Sequence, residues 1–218
     1  MDFTLMFVVL LVCLAFGAIM LTVSMGPPTK NKKEESRIQG TSFIPSQMFM
    51  GTDGVGGIAV NDQTLKICLL YSPAVPPRLI HISSLVGSFL VKNGEVLNEA
   101  LRTAPKALIS FQKLMHANAE RLIKSWQASS SQKDNQRIDL MVWIHDEDEP
   151  FHVVNFLNME TKEGGILFEK YLDTATHWHK VLNGLILQAD QLACLQIESD
   201  QNATEQPTKN PALTSAAS

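Results

Sequence analysis

The chain has 218 residues, of which 45% are apolar and 18% charged, with a formal net charge of −4. That length accommodates a membrane anchor and one globular domain, and the slight acidity argues against the basic face that nucleic-acid binding requires. Three widely spaced cysteines, Cys13, Cys68 and Cys194, form neither a disulfide framework nor a zinc ligand set, and read as reduced, mostly buried thiols.

Residues 5–23, LMFVVLLVCLAFGAIMLTV, carry no charge. As a helix they would reach about 28 Å, close to the ~30 Å hydrocarbon core of a bilayer. The acidic start MDF, the length of the run and the lack of an A-x-A site favour an uncleaved anchor over a secretory signal. Residues 1–25 are therefore expected to be a transmembrane anchor. Lys30, Lys32, Lys33 and Arg37 follow it while only Asp2 precedes it. The positive-inside rule then places the C-terminal domain in the cytoplasm, on a single-pass protein. Residues 26–41, polar and punctuated by Pro and Gly, read as a juxtamembrane linker.

The globular domain is expected over 42–197. β-type runs follow one another: SQMFMG at 46–51, GGIAVND at 56–62 and TLKICLLYS at 64–72, with Asn61-Asp62 as a hairpin turn. Two more runs, 79–86 and 88–92, close on the turn pair Asn93-Gly94. The period then becomes helical over 104–126, where Ala107, Leu108, Phe111, Met115, Ala119, Leu122 and Trp126 recur at three or four. Thr103 is placed to cap this helix, and Pro105 suits its first turn. Strands RIDLMVWIHD and PFHVVNFLN follow, joined by the acidic turn DEDE. A long amphipathic helix over about 166–196 closes the domain, with Trp178 and Leu182 in its core stripe and Gly184 as a point of conceivable bending. Residues 198–218 lack periodicity and read as a disordered tail. The expected fold class is α+β: a strongly bent antiparallel sheet or barrel of about seven strands, with an inserted helix and a C-terminal capping helix. The alternative is an open antiparallel sheet with helices on one face.

This order resembles the pleckstrin-homology-like superfold, in which seven strands are followed by one helix against the barrel mouth. The final strand FHVVNFLN and the helix ATHWHKVLNGLI carry the resemblance, Trp178 matching the Trp typical of that helix and Val181, Leu182 and Leu185 continuing its stripe. Bacterial forms of the superfold often attach to a membrane segment. Members that bind phosphoinositides place Lys and Arg between the first two strands. Here that loop is GTDGVG, with an acid and no base, so the resemblance does not bring phosphoinositide binding with it.

Other motifs are weighed by their chemistry. GTDGVGG is followed by β-type Ile58, Ala59 and Val60 rather than a helix, so it reads as a turn whose glycines supply positive φ, and not as a phosphate loop. His145–Glu149 with His152 is the densest set of potential metal ligands, yet acids at a hairpin tip ordinarily face water. His177 and His179 diverge by ~200° on a helix and are read as solvent-edge histidines beside a buried Trp. No cofactor fingerprint or catalytic constellation is present. The helix at 104–126 offers Lys106, Lys113, Arg121 and Lys124 as a possible docking face for an acidic partner or anionic lipid, against ordinary packing. Trp178, Trp126, Phe111 and Leu182 are the expected core. The expected function is a non-enzymatic, membrane-anchored adaptor with an unidentified protein partner. The alternatives are a subunit of an envelope-spanning secretion or conjugation machine, and a tethered metal-dependent enzyme using His145, Asp146, Asp148 and His152.

Overall fold

A computed structural model describes residues 43–130 and 135–204. The expected anchor, linker and much of the tail lie outside these residues. The chain divides into two compact units, Met1–Ile44 and Pro45–Ser218, and the description below concerns the second. Among the described residues, no helix is long and apolar enough to cross a membrane.

The unit is α+β. Strands β1 (Gln47–Met50), β2 (Gly57–Asn61), β3 (Lys66–Leu70) and β4 (Arg78–His81) form one antiparallel meander. A 3-10 turn, Ile82–Ser84, leads into β5 (Leu85–Lys92) and β6 (Glu95–Leu101). Helix α1 (Pro105–Ser130) follows, then β7 (Asn135–Ile144), β8 (Phe151–Glu160) and helix α2 (Ile166–Thr204). The second sheet has the order β6-β5-β7-β8, so β7 returns beside β5 once α1 has crossed over.

Three sequence expectations are corrected. The described residues form two four-stranded sheets and no closed barrel. Among the described residues the strands number eight, because β6, EVLNEAL, is added to the expected set. Its first five residues are exposed on both faces, which leaves no apolar alternation to read. It forms because Asn93 (φ 49°) and Gly94 (φ 85°) turn the chain back onto β5, the two positive φ values that an Asn-Gly hairpin uses. The run 79–86 is also divided, at Ile82–Ser84, where the His81 Nδ1 accepts the Ser83 backbone N–H.

Period-two alternation in β7 sorts two cores. Ile138, Leu140, Val142 and Ile144 face the main core, which joins Ile58, Val60, Ile67 and Leu69 of the first sheet to Trp178, Leu182 and Ile186 of α2. Trp178 lies in this core: its ring centroid is 6.4 Å from that of Phe49 on β1, and Phe49 stacks at 4.1 Å on Phe156 of β8. Met141 and Trp143 point the other way, into a smaller core with Val86, Phe111 and Leu114. Phe111 of α1 meets Trp143 edge-on at 5.4 Å. The two helices thus cover opposite faces of the second sheet, which excludes the alternative with both on one face. Trp178, Phe111 and Leu182 are buried, as the sequence indicates. The side chain of Trp126 lies outside the described ones.

Candidate functional site

The glycine-rich turn between β1 and β2 is seated on β8. Thr52 donates from its backbone N–H to the Asn155 carbonyl (2.8 Å) and from its hydroxyl to Asn155 Oδ1 (2.7 Å). Of its glycines only Gly54 has positive φ, 70°. A Cβ at Gly56 would lie 2.5 Å from the Val153 carbonyl oxygen, and one at Gly51 2.7 Å from that of Gly56. The glycines are thus required chiefly for close backbone approach, which corrects the expectation that positive φ explains them.

The acidic tip between β7 and β8 is tied down rather than assembled for a metal. Asp146 Oδ1 accepts the N–H groups of Asp148 and Glu149, and Asp146 Oδ2 pairs with Arg78 of β4. The Glu149 N–H and then Arg78 hold the Asp146 carboxyl below its ordinary pKa. His152 is buried and turned away, its Nε2–H donating to the Gly57 carbonyl at 2.8 Å. Burial lowers its pKa, against the opposing effect of that hydrogen bond. Among the described residues, no three His, Cys, Asp or Glu side chains gather as a metal site. Beside this tip Tyr71 meets His152 edge-on at 4.8 Å. The Tyr71 hydroxyl is buried without a hydrogen-bond partner among the described residues, and burial, then the Glu149 carboxylate, raise its pKa.

On α1, Lys113 and Lys124 are exposed, and eleven residues, about three turns, place them on one stripe. Ile109 is 65% exposed on the same helix. Arg121 is engaged within the molecule: Nη1 donates to the Asp148 carbonyl at 3.1 Å, and the guanidinium lies 5.7 Å from the centre of the Phe151 ring. The Lys106 side chain lies outside the described ones.

Two of the buried polar constellations that were not singled out from the sequence involve α2. His179, expected at the solvent edge, is 6% exposed and lies with Nδ1 3.0 Å from Ser88 Oγ on β5, and burial lowers its pKa. His177 is exposed and meets Gln47. The second constellation centres on Arg102 and Asp190, both buried. Arg102 Nε donates to Asp190 Oδ1 (2.7 Å), Nη1 to the Ser83 carbonyl and Nη2 to the Ala189 carbonyl (2.9 Å each). Asp190 Oδ2 accepts the N–H and the hydroxyl of Thr103. Burial works to raise the Asp190 carboxyl, but Arg102 and Thr103 outweigh it and the pKa falls below the ordinary value. The Thr103 hydroxyl therefore donates to Asp190, where the sequence suggested a helix cap. A legible signal existed: Asp190 lies four and eight residues after Ile186 and Leu182, on the buried stripe of α2, where a carboxylate requires a cation.

A cleft of about 200 Å³ adjoins this ion pair, between the start of α1, β5 and α2. Arg102, His145 and Ser110 supply its polar lining, and Val86, Ala107 and Ala193 lie among its apolar walls. The cysteine reading changes in one place: Cys68 is buried, whereas Cys194 is exposed. In comparisons with known proteins, no family model, curated protein or solved structure matches the chain.

Proposed function

We propose that this chain is a single-pass membrane protein whose globular unit is a non-enzymatic, pleckstrin-homology-like interaction module held at the cytoplasmic face. The single observation that carries the interaction role is the position of α1. The main core closes between the sheets and α2. The inserted α1 adds a separate small core on the outer face and leaves Ile109, Lys113 and Lys124 outward. An inserted helix with an exposed apolar and basic stripe is a surface on which a partner can dock. The fold assignment draws support from the closing helix, whose Trp178 is buried and meets Phe49 of the first sheet. The eighth strand and the crossover through α1 are departures from the seven-strand plan. Membrane attachment rests on the uncharged run at 5–23.

The test is site-specific photocrosslinking of the full chain in membranes, with the probe at position 113 or 124 and a control probe at exposed Asp173. The expected result is a discrete adduct from α1 only, lost when the other lysine of the stripe is reversed to Glu. Adducts independent of position or charge would remove α1 from the interaction. Protease accessibility in intact and permeabilised cells tests the placement, and cleavage from outside would favour the envelope-machine reading.

A further inference from the structure

We propose that α2 pairs with the α2 of a second copy of this chain, antiparallel and two-fold symmetric about Gln191. The pairing does not rest on the role proposed for α1. Helix α2 turns Leu182, Leu185, Ile186 and Ala189 into the main core. At about 100° per residue, Leu187, Gln191 and Leu195 share the opposite side. All three are exposed, Leu187 by 54% and Leu195 by 61%, and Leu192 flanks them at 36%. The outer side of a surface helix ordinarily carries charge. Between Lys180 and Gln196 the one charged residue is Asp190, and it is turned inward to Arg102 and Thr103. The outer side therefore presents leucines and amides. It has no lysine or arginine for a lipid surface and no charge for a charged protein to meet.

The spacing of that side fits a second copy. Leu187 lies four residues before Gln191 and Leu195 four after it. An isologous pair centred on Gln191 sets the Leu187 of each copy against the Leu195 of the other. The two Gln191 side chains meet at the axis, where each amide is both donor and acceptor and so complements its own kind. A neutral face also meets itself without like-charge repulsion. The end of the helix agrees with this register. Among the described side chains Asp190 is the last buried one of α2, yet the helix continues to Thr204. A helical stretch of about fourteen residues is marginal in water without packing. In the proposed register, residues 191–204 of each copy lie along 178–191 of the other, the part that its own domain holds in place.

The experiment is disulfide crosslinking of the full chain in an uncharged-detergent extract, with Cys13→Ser and Cys194→Ser leaving only the buried Cys68. Gln191→Cys should then give, on mild oxidation, a product of twice the chain mass. His177→Cys is the control, being exposed on the same helix. Its two copies would stand about 42 Å apart along an antiparallel pair, and the yield from position 191 should be at least about tenfold higher. Leu187→Glu with Leu195→Glu sets acid against acid, and should cut that yield at least about tenfold while tryptophan emission stays that of the folded unit. Leu187→Glu with Leu195→Lys sets opposite charges across the same pair and should restore it. Equal yields at 191 and 177, a yield indifferent to the two acids, or no recovery with opposite charges would overturn the proposal. An adduct of any other mass at position 191 would also overturn it and give the stripe to a different protein. Loss of crosslinking at Lys113 with this product intact would overturn only the interaction role of α1.

Discussion

The carbonyl oxygen of Val153 on β8 occupies the space that a side chain on Gly56 would need, with 2.5 Å to a Cβ built there. The turn after β1 therefore joins the two sheets backbone to backbone. Gly56→Ala must displace main chain, and overpacking of this kind costs about 3 kcal/mol. Gly54→Ala meets nothing within 4 Å and bears only its positive φ, about 1 kcal/mol. Denaturant unfolding of both variants, followed by tryptophan fluorescence, checks the order. Equal costs would show that backbone conformation, and not the contact, sets the need for glycine.

Arg102 and Asp190 tie the end of β6 to α2. Arg102→Met leaves a buried carboxylate held only by Thr103, and should cost roughly 3–5 kcal/mol. The double variant Arg102→Met, Asp190→Leu removes both charges and should recover most of that loss. A double-mutant cycle on the unfolding free energy measures the coupling, and additive costs would refute it.

Acid should loosen the domain through its two buried histidines. Burial lowers the pKa of His152 and of His179. Above the unfolded value, about 6.5, both are neutral in either state and stability is complete. Below it the unfolded chain takes protons that the native state refuses, so stability falls as pH falls toward the depressed native values. The slope is at most about 1.4 kcal/mol per pH unit for each histidine. The unfolding midpoint measured from pH 7.5 to 5 should drop, and Ser88→Ala with His179→Leu should flatten the curve. An unchanged slope in that variant would show that folding does not lower the pKa of His179.

Gly184 offers a stabilising change. Helix α2 runs unbroken from Ile166 to Thr204 through it, and a Cβ there meets nothing within 4 Å. Gly184→Ala should therefore stabilise the domain by about 1 kcal/mol. Leu182, Leu185 and Ile186 beside it are buried, whereas Gly184 itself is exposed. Calorimetric unfolding checks the gain, and a loss would show that helix propensity does not decide this position.

The sequence by itself determined the elements that bury one face. β7, β8 and both helices were legible because Ile138, Leu140, Val142 and Ile144 repeat at two, and Trp178, Leu182 and Leu185 at three or four. It also marked Asn93-Gly94 as a turn, since that pair accommodates positive φ at little cost. It could not supply β6, whose leading residues bury nothing and are held by pairing with β5. Nor could it show that Gly56 meets Val153, that His179 faces Ser88, or that Arg102 answers the carboxylate of Asp190 across 88 positions. Periodicity reports which side of an element turns inward. What it meets there depends on how the sheets and helices are packed, and for the glycine turn, the buried histidine and the cleft beside Arg102 only the tertiary structure decided that.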